Sequence, residues 1–210
     1  MEFSLLSAYI IKGNAKAAAE WTQRALSEGM DPLAIVNQGL IPGMDVVGEK
    51  FKNFEYYLPD MLVSARAMKG TMALLKPLLA DVKGAATSRA VIGTVKGDLH
   101  DIGKNLVGIM LEGAGFEVID LGTDVEPEAF LKAVEEHQPQ MLCLSALLTT
   151  TMPNMKATIQ LLEQSEVRPQ VKIMIGGAPV TEGYASSIGA DGYAAEAASA
   201  VEKAKELVGI

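Results

Sequence analysis

Between residues 89 and 208 short apolar runs alternate five times with stretches of helical period, and this alternation limits the fold more than any other feature. The runs cover 89–95, 117–120, 141–144, 172–175 and a short one at 191–193. The helical stretches cover 102–114, 127–137, 153–164, 180–188 and 196–208. Repetition of strand and helix predicts a parallel sheet with helices on both faces. Five strands of this length fit an α/β domain of the flavodoxin-like, Rossmann-type kind. Such a domain keeps its ligand site at the carboxyl ends of its strands.

The first 82 residues read differently. They show no strand-like alternation, and breaks at 12–14, 28–32 and 54–59 divide them into helices at 2–11, 14–28, 32–52 and 58–81. Asp31 before Pro32 is an N-cap followed by proline at the first helical position. Four helices with short connections predict an antiparallel bundle. Residues 81–88 are small and polar and form the expected linker. The domains are therefore placed at 1–84 and 88–210.

The net charge is −8. An acidic chain excludes nucleic acid as a partner, because phosphate neutralisation needs clustered Lys and Arg, and it disfavours an anionic membrane surface. Cys143 is the sole cysteine and lies in the apolar run Met141-Leu142-Cys143-Leu144, which reads as a buried small hydrophobe. One cysteine excludes an internal disulfide and a multi-cysteine metal site. No apolar run has the length of a membrane span. Glu2 stands where a secretory leader would carry basic residues. A cytoplasmic location is expected.

Three strand ends carry residues able to do chemistry. After the first strand comes Gly97-Asp98-Leu99-His100-Asp101-Ile102-Gly103. Asp98, two residues before His100, is placed to accept the Nδ1–H of the imidazole and turn Nε2 outward as a metal ligand. Gly97 and Gly103 allow a large ligand close to the backbone. A bare Asp-x-His is also compatible with a solvated loop histidine. His137, the other histidine, follows two glutamates at a helix end and reads as a surface residue. One histidine without cysteine partners does not build a zinc site; it suits a metal whose other ligands come from a macrocycle. After the third strand, Ser145-Ala146-Leu147-Leu148-Thr149-Thr150-Thr151 holds a hydroxyl cluster that suits a polar ligand, or a helix cap at Thr150 or Thr151 before Pro153. After the fourth, Gly176-Gly177 permits a sharp turn or a close backbone approach. The phosphate-loop and dinucleotide-binding glycine patterns do not occur.

Asp98-x-His100-x-x-Gly103, Ser145-x-Leu147 and Gly176-Gly177 together resemble the cobalamin-binding signature. The helical half extends the likeness. Gly43-Met44-Asp45-Val46-Val47-Gly48-Glu49-Lys50-Phe51, Tyr57-Leu58-Pro59 and Ser64-Ala65-Arg66-Ala67-Met68 resemble the helical cap of methionine synthase. They are also similar to the small corrinoid proteins of anaerobic methylamine, methoxyarene and glycine betaine methyltransferase systems. The resemblance implies that a histidine, here His100, replaces the dimethylbenzimidazole tail on cobalt, with Asp98 as its hydrogen-bond partner and Thr151 completing the relay. It places Ser145 and Thr149 at the buried nucleotide tail, with Gly176, Gly177 and Ala197 lining its pocket, and counts Leu147 and residues 97–103 among those that bind the cofactor. Phe51, Tyr57, Leu58 and Met61 fall where cap residues cover the methyl face, although phenylalanine is the family residue at the Tyr57 position. Met68 and Met72 read as bundle core.

The implied cofactor is cobalamin, cycling between cob(I)alamin and methylcobalamin, or a related corrinoid. The implied function is a methyl carrier that is not catalytic alone. It would take a methyl group as Co(I) from a substrate-specific methyltransferase and pass it to a second one serving tetrahydrofolate or a thiol such as coenzyme M. A reductive activator is a further implied partner. Proton movement through Asp98 and Thr151 would tune coordination, and a hinge is expected at 81–88. Two alternatives share the ligand site: a cobalamin-dependent sensor or regulator, and the cobalamin subunit of an adenosylcobalamin mutase.

Overall fold

The computed structural model describes residues 2–79 and 88–210 and divides into a helical unit and an α/β unit that begins at Ser88. The linker and hinge expected at 81–88 lie, except for Ser88, outside the described residues, as do the last two residues of the helix expected at 58–81.

The helical unit consists of α1 (Phe3–Ile11), α2 (Ala15–Ser27), α3 (Pro32–Ile35), a π-helical turn (Val36–Leu40), α4 (Ile41–Lys52) and α5 (Leu58–Leu79). Asn14 and Asp31 cap α2 and α3 through their side chains, at Ala17 N and at Leu33 N and Ala34 N. The core comes from Leu6, Ile10, Trp21, Ile35, Leu40, Met68 and Leu75. The continuous helix expected over 32–52 is instead widened at Val36–Leu40. Pro42 supplies the reason: it has no N–H for the i−4 carbonyl, and its ring crowds that turn. The widened turn also brings Gly39 against α1. Leu6 stands 2.7 Å from where a Cβ on Gly39 would be, and Ser7 Oγ donates to Gly39 O at 2.7 Å.

The α/β unit runs β1 (Arg89–Thr94), α6 (Ile102–Gly113), β2 (Glu117–Asp120), α7 (Pro127–His137), β3 (Met141–Ser145), α8 (Met152–Glu163), β4 (Lys172–Gly176), α9 (Glu182–Ser187), β5 (Gly192–Ala194) and α10 (Ala197–Val208), with a 3-10 turn at Arg168–Gln170 before β4. All strand pairs are parallel and the order is β2-β1-β3-β4-β5. The apolar runs are strands because both faces of the sheet are covered. Val91, Ile92, Leu142, Leu144, Ile173 and Ile175 are all buried. Phe130 from α7 lies so close to β1 that a Cβ on Gly93 would come within 2.6 Å of its ring. Strand order reverses between β1 and β3, so the loops leaving these two strands open a crevice at the carboxyl edge.

Candidate functional site

The loop after β1 is shaped by its own polar groups. Gly97 turns with φ +80. Asp98 N donates back to Val95 O at 3.1 Å, and Thr94 Oγ1 donates to His100 O at 3.0 Å. Asp98 is fully buried, yet its carboxylate meets five donors. Oδ1 accepts from His100 N at 3.1 Å and lies 2.7 Å from His100 Nδ1, while Oδ2 accepts from Leu147 N at 2.7 Å, Leu148 N at 3.2 Å and Thr151 Oγ1 at 2.7 Å. Burial by itself pushes this carboxyl upward. The hydrogen bonds, led by Thr151 and Leu147, outweigh burial and hold it well below the usual carboxylate range. The anion keeps a proton on Nδ1 and leaves Nε2 as the nitrogen able to bind a ligand. The His100 side chain is 50% exposed.

The two loops that hold this imidazole also leave large apolar side chains exposed. Leu99 and Ile102 are 73% and 80% exposed, and Leu147 and Leu148 are 41% exposed each. Four large apolar side chains in water beside a half-exposed histidine make a face suited to a flat apolar ligand. Behind it the last strand residues are small. Thr94, Ser145, Gly176 and Ala194 stand in register across the sheet. Ala197 is buried at the start of α10, and Thr149 is exposed on the β3–α8 loop.

Gly177 is required by a close backbone approach. With φ +134, a Cβ there would meet Ala146 O at 1.9 Å. The glycine pair lets the β3–α8 loop close onto the end of β4, and Ala146 N donates to Gly176 O at 3.2 Å. Thr151 sits at the N-cap position of α8, but its side chain does not cap the helix; the hydroxyl is used by Asp98 instead. Asp101 and Gly103 are exposed at the entry to α6. There the buried Lys104 ammonium lies 2.5 Å from Asp120 Oδ2. In the helical unit, Phe51 is half-buried, Tyr57 and Leu58 are 65% and 42% exposed, and Met61 has no exposed surface.

Sequence patterns did not point to Leu147 N, Leu148 N, Thr94 or the Lys104–Asp120 pair. Main-chain donors carry no residue signature, and Thr94 reads simply as strand. Among the described residues no group of three or more His, Cys, Asp and Glu is placed to hold a metal ion. A metal bound at His100 must bring its other ligands with it, as the metal of a macrocycle does. No helix among the described residues is long and apolar enough to cross a membrane.

The comparisons with known proteins agree with this chemistry. Residues 88–203 match the family described as "B12 binding domain", and residues 4–76 match a second model of that description. The chain is 42% identical to "Corrinoid protein DSY3155" of Desulfitobacterium hafniense, over 95% of this chain and 94% of the relative. It is 43% identical to "Dimethylamine corrinoid protein 1" of Methanosarcina acetivorans, over 97% of this chain and 95% of the relative. Among solved structures it is similar to a chain of the methanol:cobalamin methyltransferase complex MtaBC from Methanosarcina barkeri. That match has a TM-score of 0.85 and 31% identity, covering 97% of this chain and 78% of that one.

Proposed function

The chain belongs to the B12-binding corrinoid proteins of methyltransferase systems, and from that premise we propose that it carries a methyl group on a corrinoid held by His100. The observation that carries the proposal is the state of Asp98. A fully buried carboxylate takes five donors, and one of them, Nδ1, orients an imidazole that is half open to solvent beside four exposed apolar side chains. That donor set fits a corrinoid, whose ring supplies the remaining ligands and the apolar face.

When bound, the corrinoid supplies a cobalt centre that takes up a methyl group when reduced and releases it to an acceptor. The protein does the rest. Asp98 holds the Nδ1 proton and makes Nε2 a stronger donor. Thr151 and the Leu147 and Leu148 amides keep Asp98 ionised. Leu99, Ile102, Leu147 and Leu148 exclude water from the ring. The small row Thr94, Ser145, Gly176 and Ala194, with Ala197 and Thr149 beside it, leaves space for the nucleotide tail. In the helical unit by itself, Tyr57 and Leu58 offer exposed apolar surface, Phe51 is half-buried and Met61 belongs to the core.

The partners are a methyltransferase that loads the methyl group, a second one that removes it to tetrahydrofolate or a thiol such as coenzyme M, and a reductive activator. A relative named for dimethylamine and a structural neighbour from a methanol system share this architecture at 43% and 31% identity, so donor choice is assigned to the loading partner. Reconstitution with hydroxocobalamin tests the reading. The absorption spectrum is expected to show the tail off cobalt and a histidine on it, with the histidine lost in His100→Ala. A wild-type spectrum identical to that of free cobalamin would overturn it.

A further inference from the structure

The His100 loop is gripped from a side that the signature does not mention. Asp124, in the loop between β2 and α7, has φ +56, a left-handed backbone uncommon for residues other than glycine. It is exposed, so packing does not force that conformation. What the conformation achieves is a two-point hold on the neighbouring loop. Gly97 N donates to Asp124 Oδ1 at 2.7 Å, and Asp124 N donates to Asp98 O at 3.0 Å. The next residue, Val125, bridges Val95 and donates to Thr94 O at 3.0 Å, which fixes the height of Asp124 along β1.

We propose that Asp124 is a positioning residue for the cobalt ligand: it clamps the Gly97–Asp98 segment from the β2 side and so sets where the His100 imidazole reaches. The proposal rests on the assignment of His100 as axial ligand and adds what holds it in place. Asp98 is then gripped at two points from opposite neighbours. Its carboxylate is held by the β3–α8 loop, and its carbonyl and the preceding Gly97 N–H are held by the main chain and the side chain of Asp124 in the β2–α7 loop, the side-chain part being the one a substitution releases. If the second grip is released, the carboxylate can follow its own donors, and the imidazole moves with it. Asp124 does not touch the ligand and acts through the Gly97–Asp98 segment.

Two variants separate this from a role in folding. Asp124→Gly keeps the left-handed backbone and removes the side-chain acceptor. Asp124→Asn keeps an acceptor oxygen and tolerates the same backbone. Each is loaded with hydroxocobalamin, reduced to Co(II) and examined by electron paramagnetic resonance, where an axial imidazole splits the cobalt lines through its nitrogen. Wild type and His100→Ala provide the two reference spectra. In Asp124→Gly the ratio of histidine-coordinated to uncoordinated cobalt is expected to fall by about tenfold, the scale of outer-sphere effects on metal ligands. Total bound corrinoid is expected to be unchanged, and Asp124→Asn is expected to restore the wild-type ratio. In the cofactor-free protein, hydrogen exchange at the Leu147 and Leu148 amides, which Asp124 does not touch, is expected to quicken in Asp124→Gly alone.

An unchanged ratio in Asp124→Gly would overturn the proposal. So would an equal loss in Asp124→Asn, which would make charge the operative property, or failure of Asp124→Gly to fold, which would assign Asp124 to the fold. Absence of the nitrogen splitting from wild type would instead remove the premise about His100.

Discussion

The two edges of the sheet spend their polar groups in opposite ways. At the amino edge they are used up on each other. Arg89 N donates to Gln140 Oε1 at 2.8 Å, and the Arg89 guanidinium reaches the His137 carbonyl and Glu117. Arg168 donates to Val171 O and Gly189 O and pairs with Asp191 at 3.1 Å, whose Oδ2 also accepts from Ile173 N. These bonds join strand starts and leave little to offer a ligand. At the carboxyl edge the same kind of network converges on one carboxylate and ends in an imidazole nitrogen turned outward, among leucines left in water. Both edges carry hydrogen-bond networks. Function is read from where a network stops.

That contrast can be broken by substitution. The largest effect is expected from His100→Ala, which should lower methyl transfer by more than about 100-fold, beyond the 10–100-fold usual for outer-sphere partners. The cofactor-free protein should lose about 1–3 kcal/mol of stability, since the buried Asp98 carboxylate loses one of its five donors. Urea unfolding beside a transfer assay checks both halves. Asp98→Asn comes next, with a loss of about 10–100-fold in coordination. It also carries a pH signature. The Asp98 carboxyl is depressed in the folded state, so its stabilising contribution is complete above the unfolded value of about 3.9 and disappears as pH falls through the folded value. Acid unfolding below about pH 4 should therefore narrow the stability gap between wild type and Asp98→Asn.

Arg168→Ala tests the other edge. It should cost about 1–2 kcal/mol in urea unfolding while leaving the corrinoid spectrum unaltered. A changed spectrum would mean that the two edges are not separate. The smallest effect concerns Cys143. Burial raises its thiol from 9.0 to about 12, so iodoacetamide at pH 8 should label it only at the rate of global unfolding. The unfolded thiol ionises first as pH rises past 9, so this group withdraws stability on the alkaline side.

Much of this was legible in the residues because its cause is local. The strands and helices of the α/β unit fall within about two residues of the positions set by apolar period, since each element answers to its own burial. His100 and Asp98 are two residues apart, and a loop that short keeps them in reach. What escaped reading depends on distant chain. The donors from Leu147 and Leu148 exist only because Gly177 lets their loop close, and the left-handed Asp124 answers to Gly97. The π-helical turn follows from Pro42 and Gly39 meeting α1, while a helical period is blind to one extra residue per turn. Thr151 reads equally well as a cap until its partner is in place.

The reversal of strand order between β1 and β3 has a consequence for how such a chain is made. Asp98 is synthesised early, but the amides and the hydroxyl that allow it to stay charged in a dry interior lie from Leu147 to Thr151. An emerging polypeptide that stops short of Thr151 has the histidine and lacks the environment that aims it. Ionised Asp98 and its hold on His100 therefore depend on β3 having docked beside β1.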